Sequence, residues 1–477
     1  MTNFVRVGLF PAVLVALYAA VAFAADAPAT AAPAAFSVRD YGAKGDKQTN
    51  DQRAIQAAID ACAKAGGGEV VLPAGDYLSG TLKLASGVTL RLDKGATLWA
   101  STDPKDYEGK RSGHLLVADK ARRVAVVGEG TINGQGAADY GARWGAPDAP
   151  AFRTGILLFT ECSDVTIRGV TILYSDAWTL HLKRCENVAI DGVTIRNNPK
   201  RLNSDGIDPN SCKRVRITNC NVTAGDDCIV LKATEAHPCE DVVVTGCTLE
   251  SMTAAMKLGT ESVGDFRDIR FENCTIRNSP VGVGFYLKDG ATMERVIAKN
   301  IKMEMCDPTY HDVAPIFMDI EKRNRDSKIG RIRDVTFEDI DIRTGTGLLI
   351  QGMPESPIAN LTLRNITVRV DRPDDYANRK KPVGGRRTTR DQRDTCFARL
   401  PSYAAVANVK GLTVEGLSVL VTSEAMKAFP RSALVLRIVD GGVIRGVRRE
   451  PPDGADAPPA LDMQDCRDVR IERDLPK

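Results

Sequence analysis

CSDVTIRGVTI (Cys162–Ile172), CENVAIDGVTI (Cys185–Ile195) and CKRVRITNCNV (Cys212–Val222) are three versions of one unit, and CEDVVVTGCTL (Cys239–Leu249) and FRDIRFENCTI (Phe266–Ile276) are two more. With the first apolar strand residue as a marker, the series is Val165, Val188, Val215, Val242, Ile269 and Val296. Its steps are 23 and then 27 residues four times. A fixed period of this size means a solenoid, whose units bury their apolar face only by stacking. Within each unit apolar and polar residues alternate over about five positions, the pattern of a short strand with one buried face.

Four residues after each marker stands Gly169, Gly192, Asn219, Gly246, Asn273 or Asn300. The same offset from Val124, Val335, Leu361 and Leu412 gives Gly128, Asp339, Asn365 and Gly416. All ten are of the types that best tolerate positive φ, so every coil is expected to bend there through a left-handed residue. No helical periodicity runs inside the units, as helical or leucine-rich repeats would require. The fold class is all-β: a single-stranded right-handed parallel β-helix with an N-terminal capping helix.

That helix is read at TNDQRAIQAAIDACAKAGGG, with Thr49 and Gln52 in capping-box spacing, Ile55, Ala58, Ile59 and Cys62 on one face and Gly66 as the stop. It would cover the open first rung. Ahead of it, Arg6, an apolar run from Val7 to Val21 and Ala22-Phe23-Ala24 read as a cleavable export signal over residues 1–24. Residues 25–35, rich in Ala, Pro and Thr, read as a flexible linker. The β-helix is placed at 36–450, with a linker and a last coil-like piece, CRDVRIERD, in 451–477. The mature protein is expected to be secreted or periplasmic, free of the membrane once the signal is cut, and monomeric.

Lys and Arg total 64 against 61 Asp and Glu. Near-neutrality argues against a nucleic-acid partner or a global polyanion surface. Asn378–Arg393 is the local exception, with seven bases and one acid, and reads as a solvated loop. The twelve cysteines are mostly periodic. Cys162, Cys185, Cys212 and Cys239 precede a marker by three residues, and Cys220, Cys247 and Cys274 follow one by five. Stacked coils turn such positions into files of small buried hydrophobes. Disulfides are geometrically open to some pairs and are not assigned by sequence. No spacing resembles a zinc knuckle and only four histidines exist, so neither metal nor cofactor is expected.

NSDGIDPNSCKRVRITNCNVTAGDDC (Asn203–Cys228) carries the chemistry. Asp205 and Asp226 are 21 residues apart, close to one coil, so they should meet on neighbouring rungs with Asp227 alongside. Three carboxyls this close disfavour one another's ionisation, and one should keep a proton near neutral pH. Glycoside hydrolysis needs that division: a protonated carboxyl for the leaving oxygen and an ionised one for water. Asp208 reads instead as a turn residue making Asx hydrogen bonds.

NSDGID followed by GDDC resembles the paired motifs of glycoside hydrolase family 28, the polygalacturonase family, and FSVRDYGAKGD…GGGEVVLPAGDYLSGTLKL is similar to its N-terminal cap and first coil. The resemblance runs from about Phe36 to the coil near Leu420. It implies Asp226 as general acid, Asp205 with Asp227 activating water, inversion at the anomeric carbon, and an acidic plant-type polysaccharide as partner. Two departures bear on substrate. The family's Gly-His-Gly motif is replaced by TAAMKLGTES, with Ala254 at the histidine position, and its Arg-Ile-Lys motif by YLK, with Tyr286 for the arginine and Lys288 kept. A tyrosine offers one neutral hydrogen bond where arginine offers a charged fork. Lys257 is expected to join Lys288 in meeting one substrate carboxylate, and Tyr286 to face a neutral sugar, which points towards rhamnogalacturonan. Two alternatives stay open: a pectate-lyase-type β-helix using calcium, and a non-catalytic carbohydrate-binding solenoid.

Overall fold

The structure, a computed structural model, describes residues 34–109, 112–136, 152–306, 314–371, 401–428, 430–450 and 458–472. The stretch read as an export signal, all but the end of the stretch read as a linker, and the basic stretch Asn378–Arg393 lie outside them. Among the described residues, 34 strands join in one parallel network. The marker residues stack in register as read: Val124, Val165, Val188, Val215, Val242, Ile269, Val296, Val335, Leu361 and Leu412 pair coil to coil, and Leu412 continues to Gly442. Their side chains are buried in one continuous apolar core.

All ten predicted bend residues have positive φ, from 51° at Asn300 to 123° at Gly128. A second left-handed file stands one residue before each marker: Arg123, Asp164, Asn187, Arg214, Asp241, Asp268, Arg295, Asp334, Asn360 and Gly411. In these ten coils the two left-handed residues stand five apart, Gly441 with Gly446 adds an eleventh pair, and several coils carry a third left-handed residue three positions earlier, as at Lys120, Glu161, Arg184, Ser211, Asn408 and Ile438. The left-handed region costs a non-glycine residue about 1–2 kcal/mol. Side-chain ladders between coils offset part of this: Asn187 donates to Asp164 (3.0 Å), Arg214 to Asn187 (2.6 Å), Arg295 to Asp268 (2.7 Å) and Asn300 to Asn273 (2.7 Å).

The helix Gln52–Lys64 buries Ile55, Ala58, Ile59 and Cys62 as expected, and Gly66 follows at φ +94°. The Thr49–Gln52 capping box does not form. Thr49 lies in the strand Asp46–Asn50 and is held by Asp46, while Asp51 is the N-cap residue. The Asp51 carboxylate is turned away to accept from Lys44 N (2.6 Å) and Gly45 N (2.8 Å). Ala35, placed in the linker by sequence, already pairs with Glu69. At the other end Leu461–Gln464 and Arg467–Glu472 add parallel pairings to Leu434–Glu450. The periodic cysteines are buried free thiols. They donate to main-chain carbonyls, as Cys212 does to Leu182 O (3.2 Å) and Cys220 to Thr218 O (3.2 Å).

Candidate active site

Five successive coils build one wall from the strands Leu180–Lys183, Ile207–Asn210, Ile229–Ala233, Ala254–Ser262 and Val281–Leu287. Ile207, Ile229, Met256 and Val283 pair in register and point into the core, so the next residue on each strand, Asp208, Val230, Lys257 and Gly284, faces outward. Asp205, Asp226 and Asp227 precede these strands where the chain turns onto the wall. Gly206 N donates to Asp227 O (2.9 Å) and Ile207 N to Cys228 O (2.8 Å). The rung-equivalent of Asp205 is therefore Asp227, not Asp226 as the 21-residue spacing suggested; the intervening turn is one residue longer. All three carboxyls nevertheless converge, with one oxygen from each within 4.8 Å of the others. Asp205 and Asp227 are buried, and Asp226 is the partly open one.

Two lysines divide the charge. Lys257 Nζ lies 2.7 Å from Asp227 Oδ2. Lys232, buried on the strand Ile229–Ala233, stands 3.6 Å from Asp205, 3.7 Å from Asp208 and 3.4 Å from Glu261, with its ammonium 4.5 Å from the centre of the Trp178 ring. Burial opposes the charge on Lys232, but Asp205, Asp208 and Glu261 together hold it protonated. Burial also works against ionised Glu261, yet Lys232 draws that acid down to about 2. Asp205 is pushed well above the usual carboxylate range, first by burial and then by the charges of Asp208 and Asp226. Asp226 is raised by burial and by Asp227, against the pull of Lys257, the contact with Thr253 and the hydrogen bond from Asn203 N–H.

Asp208 is not a turn residue. It sits mid-strand beside His181, fully buried, with neither carboxyl oxygen hydrogen-bonded, and burial outweighs Lys232 to push it up to about 8. Strand alternation after Ile207 was the available signal for its outward position, and the alternation Ile229, Val230, Leu231 placed Lys232 likewise. His181, packed edge-on against Trp178 at 4.8 Å, is held neutral by burial, which lowers it to about 3.

The structure places the remaining candidates differently from one another. Tyr286 packs on Phe317 with ring centres 4.7 Å apart, and the Lys257 ammonium lies 5.2 Å from its ring. Lys288, beyond the strand end, is buried against Glu321 (3.2 Å). Lys257 and Lys288 thus each lie against an internal carboxylate, Asp227 and Glu321 respectively. Beyond Lys257 the outward face turns apolar: Ala254, Val281, Tyr286, Ala314, Phe317, Leu349 and Ala405 form a cluster separate from the core.

The grouped acids also bear on metals. A calcium cage is built from oxygens alone, whereas here ammonium groups already lie against Asp205 and Asp227. The residues fit an acid/base pair better than a cation cage.

Residues 62–382 match the family model of glycosyl hydrolases family 28. The chain belongs to that family. It is a glycoside hydrolase. Among family 28 relatives it is 28% identical over 387 residues to a probable polygalacturonase of Vitis vinifera, covering 70% of this chain and 74% of that one. It is 26% identical over 393 residues to an endo-polygalacturonase of Pectobacterium carotovorum subsp. carotovorum, covering 75% and 93%. In fold it is similar to an exopolygalacturonase of Thermotoga maritima, with a TM-score of 0.63 at 22% identity over 71% of this chain and 88% of that one. Among the described residues no helix is long and apolar enough to cross a membrane.

Proposed function

We propose that this family 28 hydrolase cleaves a galacturonate-containing pectic polysaccharide outside the cytoplasm, as an exported monomer. Asp226 serves as general acid, and Asp205 with Asp227 holds the attacking water. The observation that carries this is the convergence of three carboxyls within 4.8 Å while only one of them, Asp226, is open to a leaving oxygen. Burial and Asp227 raise Asp226 towards the protonated form an acid needs; burial raises Asp205 further, so exposure and not the shift singles out Asp226. Asp205 Oδ1 is buried without a hydrogen-bond partner among the described residues, and the role of Asp205 with Asp227 on the water is taken from the family resemblance.

The substrate follows from the wall beyond the acids. A carboxylate at every sugar calls for uncommitted cations, but Lys257 and Lys288 are both ion-paired and their neighbours are Tyr286, Phe317 and Ala254. Such a wall suits the apolar face of a neutral sugar. We therefore assign a rhamnogalacturonan or side-chain linkage beside galacturonate, with Tyr286, buried against Phe317 and Lys257, shaping the apolar wall, Lys257 fixing Asp227 and Lys288 supporting the wall through Glu321. Reducing-end release should be compared on polygalacturonate and rhamnogalacturonan oligosaccharides, with and without a calcium chelator. Faster cleavage of polygalacturonate would overturn the substrate assignment, and loss of activity with chelator would favour the lyase-type route.

Inversion is the outcome the family resemblance implies. Retention through a carboxylate nucleophile is the other outcome that paired carboxyls can give. Proton NMR of the first-formed product decides between them, because inversion releases the anomer opposite to the bond cleaved.

A further inference from the structure

Thr253 lies immediately ahead of the strand Ala254–Ser262, one residue before the position at which the family's histidine would stand. Its Oγ1 is 2.9 Å from Asp226 Oδ1 and 2.7 Å from Asp227 Oδ1. The residue is pinned from behind: Thr253 N donates to Ser251 Oγ (2.9 Å), and that hydroxyl donates to Asp226 O (2.6 Å). A β-branched side chain is stiff at χ1, so its hydroxyl stays where the backbone aims it.

A hydroxyl carries one hydrogen. Two contacts this short to two carboxyl oxygens are both full two-centre hydrogen bonds only if one carboxyl supplies a proton; the alternative is one hydroxyl hydrogen shared between two carboxylates. Lys257, 2.7 Å from Asp227 Oδ2, makes Asp227 the better seat for negative charge. We infer that Thr253 is a positioning residue that assigns the shared proton to Asp226: Asp226 donates to Thr253 Oγ1, and the Thr253 hydroxyl donates to Asp227. The acid is thereby held loaded beside an ionised neighbour. In the reaction the Asp226 proton passes to the leaving oxygen, and Thr253 neither gains nor loses one. The inference rests on Asp226 being the acid.

Other groups face Asp226. Negative charge on Asp226 opposes ionisation of Asp205 and Asp208 on the preceding coil. Asp227 opposes ionisation of Asp226 from beside, while Lys257 on the next coil and the Asn203 N–H, 3.0 Å from Oδ2, favour it. Lys232 and Glu261 stand behind Asp205. Were Thr253 to donate to Asp226 it too would favour the ionised form. The two arrangements therefore predict opposite shifts when the hydroxyl is removed.

The test measures kcat/KM against pH for the wild type, Thr253→Val and Thr253→Ser on whichever pectic oligosaccharide the wild type cleaves. It also follows the protonated-carboxyl infrared band that Asp226→Asn abolishes. Thr253→Val should move the alkaline limb and the loss of that band downward by about one pH unit, the size of one net hydrogen bond. Thr253→Ser should restore both. Thr253→Ala carries the same expectation if the valine variant does not fold. An unmoved limb, or one moved upward, overturns the inference. Asp226→Asn retaining near-normal turnover refutes the acid assignment instead, and the infrared band still reads where the proton sits.

Discussion

Replacing Lys257 with methionine tests whether the site is electrostatically divided as described. At 2.7 Å the Lys257–Asp227 attraction is about 6 kcal/mol with an effective dielectric near 20, most of it offset by several kcal/mol of desolvation for each ion. The pair adds little over neutral side chains of the same shape, but removing one partner strands the other. Breaking a buried pair costs about 3–5 kcal/mol. Here the lower end is expected, because the Lys257 side chain keeps 15% of its surface in solvent while Asp227 keeps 2%. Lys257→Met should therefore lose about 3 kcal/mol, Asp227→Asn about 2–3, and the double variant clearly less than their sum, with a coupling of about 2 kcal/mol. Urea denaturation of the four proteins at pH 7, followed by circular dichroism, closes the cycle. At about 2.1 cal/mol/K per residue over roughly 400 residues, a loss of 3 kcal/mol lowers Tm by about 3–4 °C. Additivity to within about 0.5 kcal/mol would show that the two charges do not depend on each other and would refute the reasoning.

Asp226→Asn should remove most turnover with circular dichroism unchanged; near-normal activity would exclude Asp226 as the acid. Because Asp226 must be protonated and burial raises it, wild-type kcat/KM should stay high above the usual carboxylate range and fall as pH rises through the raised value. Asp208, pushed up to about 8, binds its proton more tightly folded than unfolded, so its contribution to stability declines as pH rises from about 4 to about 8. Denaturation midpoints across that window should flatten in Asp208→Asn, and an unchanged slope would contradict the assignment. Cys247→Ala should cost about 1–3 kcal/mol with or without reductant, as a small buried deletion does. Mass spectrometry finding Cys220, Cys247 and Cys274 all in disulfides would contradict a packing role.

The solenoid was legible because its period is imposed by stacking: a residue that must lie above its counterpart recurs at the coil length, and Val165 to Val296 record that directly. The first left-handed file was legible because glycine and asparagine mark it. The second was missed although seven of its ten residues are Asp, Asn or Gly, because Arg123, Arg214 and Arg295 interrupt it; Arg214 and Arg295 are held in place by ladders to other coils. Local propensity likewise misled at Thr49, which Asp46 engages, and at Asp208, where the turn preference of aspartate masked its place on a strand. The three acids were readable as a cluster, but not that Asp227 is the equivalent of Asp205. Lys232 and Thr253 escaped notice because their roles come from three-dimensional neighbours on adjacent coils. Alternation sets the outward direction of Lys232, but no spacing announces which groups either residue meets.

The paired left-handed turns also set where this architecture tolerates growth. Their five-residue separation never varies across eleven coils, whereas the distance from one marker to the next ranges from 23 residues to 51, between Leu361 and Leu412. An extra residue between the turns would swap buried and exposed side chains along every strand it touched, so length change is confined to the remainder of the coil. That remainder includes the turns bearing Asp205, Asp226, Asp227 and Thr253. Specificity can thus be rewritten by lengthening or grafting segments beside the catalytic acids while the opposite edge stays a fixed ruler, and a chimera exchanging such segments between relatives should keep its coil register.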